Sequence, residues 1–336
     1  MSQKISIIAE IAQGYEGKAE LARQLLNAAA TGGADAAKYQ LVYADELATP
    51  DYEYYDLFKS LEMPDDVWKD LASYAQELKV ELHLDIFGLR SLALAEKLNV
   101  GAVKLHGTDI ANVGLLKAVA ASQVNTVLLG AGGAFAAEIE QALTILSDKC
   151  VVLLLGFQGY PTPDETNQIS RVSTFTQKYG ASSPNIKIGF ADHADPDTPL
   201  RLALGATALG AGAVVLEKHI TLGKVMKLED HEAALNPDEF FEFSQTIRTC
   251  AAAMGVATEQ EDFGMTQSEY GYRDMIRRHV VASRPLDSGA AIQANDVVLK
   301  RTSSENAMTD LNKVYGKKLK SNIDVNRPIT KNAVKQ

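Results

Sequence analysis

The sequence predicts a (β/α)8 TIM barrel followed by a small β-rich domain, and three observations carry that prediction. Short apolar runs alternate eight times with longer amphipathic segments between residues 5 and 255. About 250 residues is the length such a barrel needs. No G-x-G-x-x-G follows the first apolar run, which argues against an open dinucleotide-binding sheet. After Met254 the texture changes to a polar, turn-rich and basic tail.

Taken in order, the strand candidates are 5–12, 36–42, 80–87, 102–106, 126–129, 151–157, 186–191 and 214–220. The helical patterns between them are 19–30, 65–78, 89–98, 113–121, 134–146, 165–179 and 198–209. A last helix, 237–254, has Asn236 at its N-cap, Pro237 in first place and Glu239 to complete a capping box. In Tyr160-Pro161-Thr162-Pro163-Asp164-Glu165 the same logic makes Thr162 a cap for a helix begun by Pro163. The expected division is a barrel domain over 1–255, a linker over 256–276 and a small domain over 277–336. Short β-like runs at 279–282 and 297–299 mark the latter.

Composition bounds the function. The 336 residues are 46% hydrophobic and 23% charged, ample for a folded core, and the net charge is −10. Such a chain lacks the field that draws nucleic acid or anionic membrane, so neither is an expected partner. Any anionic ligand must be met by a few local cations. Two cysteines, Cys150 and Cys250, make no disulfide framework and no C-x-x-C, which suits a reduced, cytoplasmic protein. No uncharged stretch is long and apolar enough to read as a membrane span.

Chemistry in a barrel collects where its strands end. Those ends here carry Glu10; Lys38 and Gln40; His83 and Asp85; Lys104, His106 and Asp109; Gln158 and Tyr160; Asp192 and His193; and Glu217, Lys218 and His219. Singly, each is better explained by an ion pair or a backbone-bonded histidine. Together they make one polar face. His193 and His219 close the seventh and eighth strands, which are neighbours, so two imidazoles could reach one divalent cation, with Asp192 and Glu217 as orienting groups. The glycine-rich Gly130-Ala131-Gly132-Gly133 could form an anion nest or a plain tight turn.

These residues resemble the sialic acid synthase family, whose members make nonulosonic acids from phosphoenolpyruvate and an amino sugar. The resemblance runs through Ile8-Ala9-Glu10-Ile11, Ala37-Lys38-Tyr39-Gln40, Tyr160-Pro161-Thr162-Pro163, Gly189-Phe190-Ala191-Asp192-His193, Leu216-Glu217-Lys218-His219 and Asp230-His231. The tail is similar to the family's antifreeze-like (SAF) domain through Val280-Val281-Ala282-Ser283-Arg284 and Leu299-Lys300-Arg301. It implies a TIM barrel, a divalent metal (Mn2+, with Mg2+ or Co2+ as substitutes) on His193 and His219, and a domain-swapped homodimer. By position it implies that Lys38 and Lys104 bind phosphoenolpyruvate. Glu10 lies beside the reacting carbonyl, and Gln40, Tyr160 and Asp230 contact substrate. Arg301 reaches the partner's site.

The expected catalytic set is therefore Glu10, Asp109 and Lys104, and the expected substrate set is Lys38, Gln40, His106, Gln158, Tyr160, Asp230 and Arg301. The sequence also departs from the family. Gly14-Tyr15 stands for an Asn-His, Gly107 and Ala191 for serines, and Gly130-Ala131-Gly132-Gly133 for Ser-Thr-Gly-Met. One expectation is that the glycine nest, His106 and Lys104 now hold the anion. A synthase with another aldose acceptor and a non-catalytic sugar-binding homologue remain open alternatives.

Overall fold

Eight parallel strands close on themselves in chain order: β1 (Ser6–Ala12), β2 (Ala36–Gln40), β3 (Glu81–Asp85), β4 (Ala102–Leu105), β5 (Thr126–Gly130), β6 (Cys150–Gly156), β7 (Ile186–Asp192) and β8 (Val215–His219). Pairing of Ile8 with Glu217 and of Glu10 with His219 seals the barrel. The computed structural model describes residues 5–156, 159–181, 183–255, 258 and 260–335. Its two compact units are Met1–Val256 and Ala257–Gln336.

Strand alternation sorts the side chains. Ile8, Ala36, Ala102, Leu128, Val152 and Val215 pack together as a separate apolar cluster, the plug of the barrel interior. Intervening residues such as Ile7, Ala37, Leu82, Val103, Leu129, Leu153 and Leu216 belong to the main core with the helices. The helices are α1 (Ala19–Thr31), α2 (Ala44–Leu47), α3 (Tyr55–Leu61), α4 (Asp65–Leu78), α5 (Leu89–Leu98), α6 (Val113–Ala121), α7 (Ala136–Ile145), α8 (Ser170–Phe175), α9 (Ala203–Gly210) and α10 (Pro237–Met254). Trp68 of α4 is buried edge-on against Tyr15 and Tyr39, with ring centroids 5.6 and 5.8 Å away. Tyr15 is thus a core residue; its hydroxyl donates to the Gln40 carbonyl at 2.9 Å.

Three local expectations are corrected. Periodicity marks nothing between 43 and 64, where α2 and α3 lie; both are too short to show an amphipathic repeat. The segment 165–179 is not one helix. Asp164–Thr166 is a 3-10 turn, Gln168 takes φ 52, and only then does α8 begin, running into a π turn at Thr176–Gly180. Thr162 does not cap it, because its hydroxyl donates back to the Gly159 carbonyl at 2.7 Å. At α10, Glu239 accepts the Asn236 N–H at 2.8 Å as expected, while Asn236 Oδ1 accepts the N–H of Lys224 at 2.9 Å.

The second unit holds α11 (Gln267–Ile276) and an antiparallel pair, β9 (His279–Ala282) and β10 (Val297–Lys300). It buries its own core of Val280, Ala282, Leu286, Ile292, Val314, Leu319 and Ile329. α11 falls in the stretch the sequence reads as a linker. The signal for it is a capping box: Thr266 Oγ1 accepts the Glu269 N–H at 3.3 Å and Glu269 accepts the Thr266 N–H at 2.6 Å.

Candidate active site

Above the apolar plug the strands carry charge. Two residues beyond Ile8, Ala36 and Ala102, on the same faces, stand Glu10, Lys38 and Lys104, with Asp85 paired to Lys104 in register. Two residues beyond Val215 stands Glu217, then His219. Five of these charges interlock. Lys38 Nζ bonds Glu10 and, at 2.7 Å, Asp85 Oδ1, and lies 3.5 Å from Glu217 Oε2. Lys104 Nζ bonds Glu217 Oε1 at 2.8 Å and lies 3.5 Å from Glu10 and 3.7 Å from Asp85 Oδ2. Lys38 is fully buried and Lys104 nearly so.

Three carboxyls around two ammoniums leave one negative charge in excess. Burial pushes the Glu10 carboxyl up to about 8, with Lys38 pulling against it and Glu217 and Asp85 adding to the rise. Glu217 is desolvated too, yet Lys104 and Lys38 outweigh that and hold it below the usual carboxylate range. Lys104 loses solvation in the same way, but Asp85, Glu217 and Glu10 raise it well above an ordinary lysine. The cluster thus approaches neutrality with a proton on Glu10. The Ala12 N–H donates to Glu10 Oε1 at 2.9 Å and fixes that carboxyl in place.

The histidine pair lies beside this cluster. The rings of His193 and His219 are 5.2 Å apart, and Tyr160 stands edge-on to both at 5.9 and 5.5 Å. Burial drives His193 down to about 3, and burial followed by its neighbour drives His219 well below the imidazole range. Both shifts favour the neutral ring, the form that ligates metals. Nδ1 of His193 lies 3.2 Å from the Ala191 carbonyl, which can only accept, so Nε2 is its unprotonated nitrogen. Buried, neutral and adjacent imidazoles fit a divalent cation. Among the described residues no group of three or more His, Cys, Asp or Glu is arranged to hold one, so water and substrate oxygens would complete the shell.

The loop bearing His193 is pinned from behind. Fully buried Lys218 donates to Asp192 at 3.1 Å and to the Ala194 carbonyl at 3.0 Å, and the Thr162 N–H donates to the His193 carbonyl at 2.8 Å. Asp230, at φ 63, accepts the Gln13 N–H at 3.0 Å, and its own carbonyl accepts the Tyr160 hydroxyl at 2.5 Å. Burial lifts the Asp230 carboxyl to about 6 and the Tyr160 hydroxyl well above its usual range. Gln13 also donates its side-chain amide to Gln40 at 2.8 Å, so Gln13, Gln40, Tyr160 and Asp230 form one polar rim.

An open cavity of about 470 Å³ occupies the β4–β7 side of the mouth, lined by Lys104, His106, Thr108, His193 and a wall of glycines and Ala191. The glycines let the turns after β4 and β5 touch backbone to backbone. A Cβ on Gly130 would sit 2.6 Å from the Gly107 nitrogen, and one on Gly107 2.9 Å from the Gly132 carbonyl. The Ala131 N–H donates to the Leu154 carbonyl at 2.9 Å, and Gly132 and Gly133 line the cavity beside it. His106 is held 3.1 Å from the Thr108 hydroxyl and is lowered by burial and by Lys104.

The sequence matches the NeuB family over residues 25–259 and the SAF domain over 277–335. The chain belongs to the NeuB family. It is 29% identical to an uncharacterised protein of Methanocaldococcus jannaschii, covering 94% of this chain and 90% of that one. It is 26% identical to the N,N'-diacetyllegionaminic acid synthase of Legionella pneumophila, over 94% of this chain and 91% of that protein. The structure of N-acetylneuraminic acid (sialic acid) synthetase from Leptospira borgpetersenii, in complex with citrate, superposes with a TM-score of 0.71 at 26% identity, covering 81% of this chain and 92% of that one.

Within this NeuB-family barrel the structure brings together Glu10, Lys38, Lys104, His193 and His219, with Gln40, Tyr160 and Asp230 linked to the same mouth through Gln13. His106 lines the cavity. Asp109 is outside that lining; it sits in the turn Gly107–Asp109 and accepts the Asn112 amide at 3.2 Å. Gln158 lies outside the described residues. Arg301 belongs to the second unit, is exposed, and donates to the Ile276 carbonyl at 3.3 Å. His83 pairs with exposed Glu81 at 3.0 Å and takes no part. Asp85 enters as a full member of the charge cluster, absent from the expected substrate and catalytic sets. Its place at the end of β3 marks it in the sequence, while its register with Lys104 appears only in the fold.

Proposed function

We propose that this protein is a nonulosonic (sialic-acid-like) acid synthase, which condenses phosphoenolpyruvate with an open-chain amino-sugar aldehyde to give a 3-deoxy-2-keto sugar acid and phosphate. The observation that carries this reading is family membership across the barrel together with the SAF domain, in a chain aligned over 94% of its length with a legionaminic acid synthase. Carbon three of the enol attacks the aldehyde carbon and a C–C bond forms. Glu10, protonated near neutral pH, gives its proton to the aldehyde oxygen, which becomes a hydroxyl. The resulting carboxylate takes a proton from the water that adds at carbon two. Phosphate then leaves with the proton of that new hydroxyl as the keto group forms.

Lys104 faces the cavity and stabilises developing negative charge, supported by the Gly132 and Gly133 N–H groups, His106 and Thr108. Asp109 is better read as a turn residue than as the acid. His193 and His219 would hold a divalent cation, Mn2+ by family resemblance, and that ion supplies Lewis-acid polarisation of the aldehyde. Tyr160, Gln40 and Asp230 orient the acceptor. A homodimer in which Arg301 closes the partner's mouth, and a cytoplasmic setting suited to two free cysteines, belong to the same proposal.

The test is phosphate release from phosphoenolpyruvate with Mn2+ and a panel of N-acetylated hexosamines. Acceptor-dependent release is expected. No release with any acceptor counts against a synthase. The variant His219→Ala is expected to lose Mn2+ in equilibrium dialysis and to drop turnover at least about a hundredfold, with its circular dichroism unchanged. Full activity in that variant sinks the metal assignment.

A further inference from the structure

The substrate proposed above carries a phosphate and a carboxylate, yet neither lysine expected to meet them is available as a bare cation. Lys38 is sealed beneath the mouth, and Lys104, which lines the cavity, is surrounded on its inner side by carboxylates. Two of the three have other work. Glu10 also takes a backbone N–H and holds the reacting proton, and Glu217 lies beside the histidine pair. Asp85 has none. It spans both ammoniums, Oδ1 on Lys38 at 2.7 Å and Oδ2 3.7 Å from Lys104.

Asp85 is also poorly explained by stability. It is 1% exposed, and Oδ2 has no hydrogen-bond partner among the described residues. A buried acceptor left without a hydrogen bond is a cost, and a third carboxyl is accommodated only while one of the three, Glu10, keeps a proton. Removing its charge would leave two carboxyls for two ammoniums, an even match that needs no proton on Glu10.

We propose that Asp85, anchored on buried Lys38, competes with the anionic groups of the substrate for Lys104, the cluster lysine that lines the cavity, and so sets how tightly the site holds phosphoenolpyruvate and releases phosphate. This rests on the synthase reading. A negative charge a few ångströms behind Lys104 repels any anion that approaches it, and screening by water is weak there. Inorganic phosphate, with no enol carbon to be consumed and no carboxylate of its own, is held off by the same charge, which keeps the product from lingering.

The experiment compares Asp85→Asn, Asp85→Ser and Asp85→Glu with wild type. Assayed at a pH where Glu10 keeps its proton, the two neutral variants are expected to lower KM for phosphoenolpyruvate and the inhibition constant of inorganic phosphate together, by about tenfold or more for one charge at this range. The kcat should fall as release slows, and more steeply toward higher pH because Glu10, with one carboxylate fewer beside it, gives up its proton sooner. Asp85→Glu, which keeps the charge, is expected to return both constants to within about threefold of wild type, a rescue that a packing role alone would not give to a longer side chain. Unchanged or raised KM in both neutral variants, with wild-type melting curves, overturns the proposal. Calorimetric titration with inorganic phosphate answers the same question without turnover. Tighter phosphate in Asp85→Asn supports the competition even where no acceptor is turned over, and equal or weaker phosphate overturns it. Failure of wild type to consume phosphoenolpyruvate would instead count against the synthase reading alone.

Discussion

The two sides of the barrel mouth are built on opposite plans. On the β8–β1–β2–β3 side, side chains fill the space: Glu10, Lys38, Asp85 and Glu217 are all at most 2% exposed and bind one another. On the β4–β7 side, side chains are withheld, and Gly107, Gly130, Gly132, Gly133, Gly156 and Ala191 leave a cavity. Lys104 belongs to both, bonded into the cluster and lining the space. The difference separates two jobs. The filled side fixes charge and a proton where water cannot screen them, and the empty side provides room and backbone donors for a ligand.

The largest effect should come from breaking the filled side at its centre. Lys38→Met leaves Glu10, Asp85 and Glu217 buried around Lys104 alone. Removing one partner from such a network costs about 3–5 kcal/mol, since the charges left behind are uncompensated. Urea denaturation is expected to register that loss. Pairing the change with Asp85→Asn should return a large part of it, because the double variant again has two carboxyls, one of them protonated, beside one ammonium. Additive losses would mean that the cluster acts as separate contacts.

The empty side should fail differently. Gly130→Ala places a methyl against the Gly107 nitrogen, a backbone atom that cannot swing away. The β4 and β5 turns must part, at a cost of about 1–3 kcal/mol. Because those turns form the cavity wall, the variant should raise KM for phosphoenolpyruvate more than it lowers the melting temperature. An unaltered KM would place the ligand elsewhere.

The contrast also explains what could be read from the sequence. All eight strands and the helices 65–78, 89–98, 113–121 and 237–254 are legible because each carries a period, two for strands and 3.6 for helices, sustained over its length. Glu10, Lys38, Lys104, His193 and His219 are legible because strand ends face one mouth. Which charge meets which is not. Whether Lys104 faces a ligand or Asp85 depends on side-chain reach across neighbouring strands, and no single-strand pattern encodes that. Tyr15 illustrates the same gap. It looks like a lost site residue until Trp68, 53 positions on, is seen packed against its ring.

The smallest expected effect concerns the proton that balances the filled side. A carboxyl whose folded value is raised favours the fold while protonated, so its contribution is complete below the unfolded value of 4.5 and is lost as pH climbs through about 8. Above that point the cluster carries an uncompensated negative charge. Melting temperature measured from pH 5 to 9 should therefore fall in wild type until about pH 8 and level off beyond it. In Glu10→Gln, which keeps the hydrogen-bonding shape but cannot lose the proton, that fall should be shallower by about 1 kcal/mol or more across the interval. The Asp85→Asn variant separates the causes. With one carboxylate fewer beside it, Glu10 should ionise at lower pH, and the levelling should move with it toward neutrality. If the two variants instead reproduce the wild-type profile, the proton does not reside on Glu10, and the filled side is balanced by Lys38 and Lys104 in some other way.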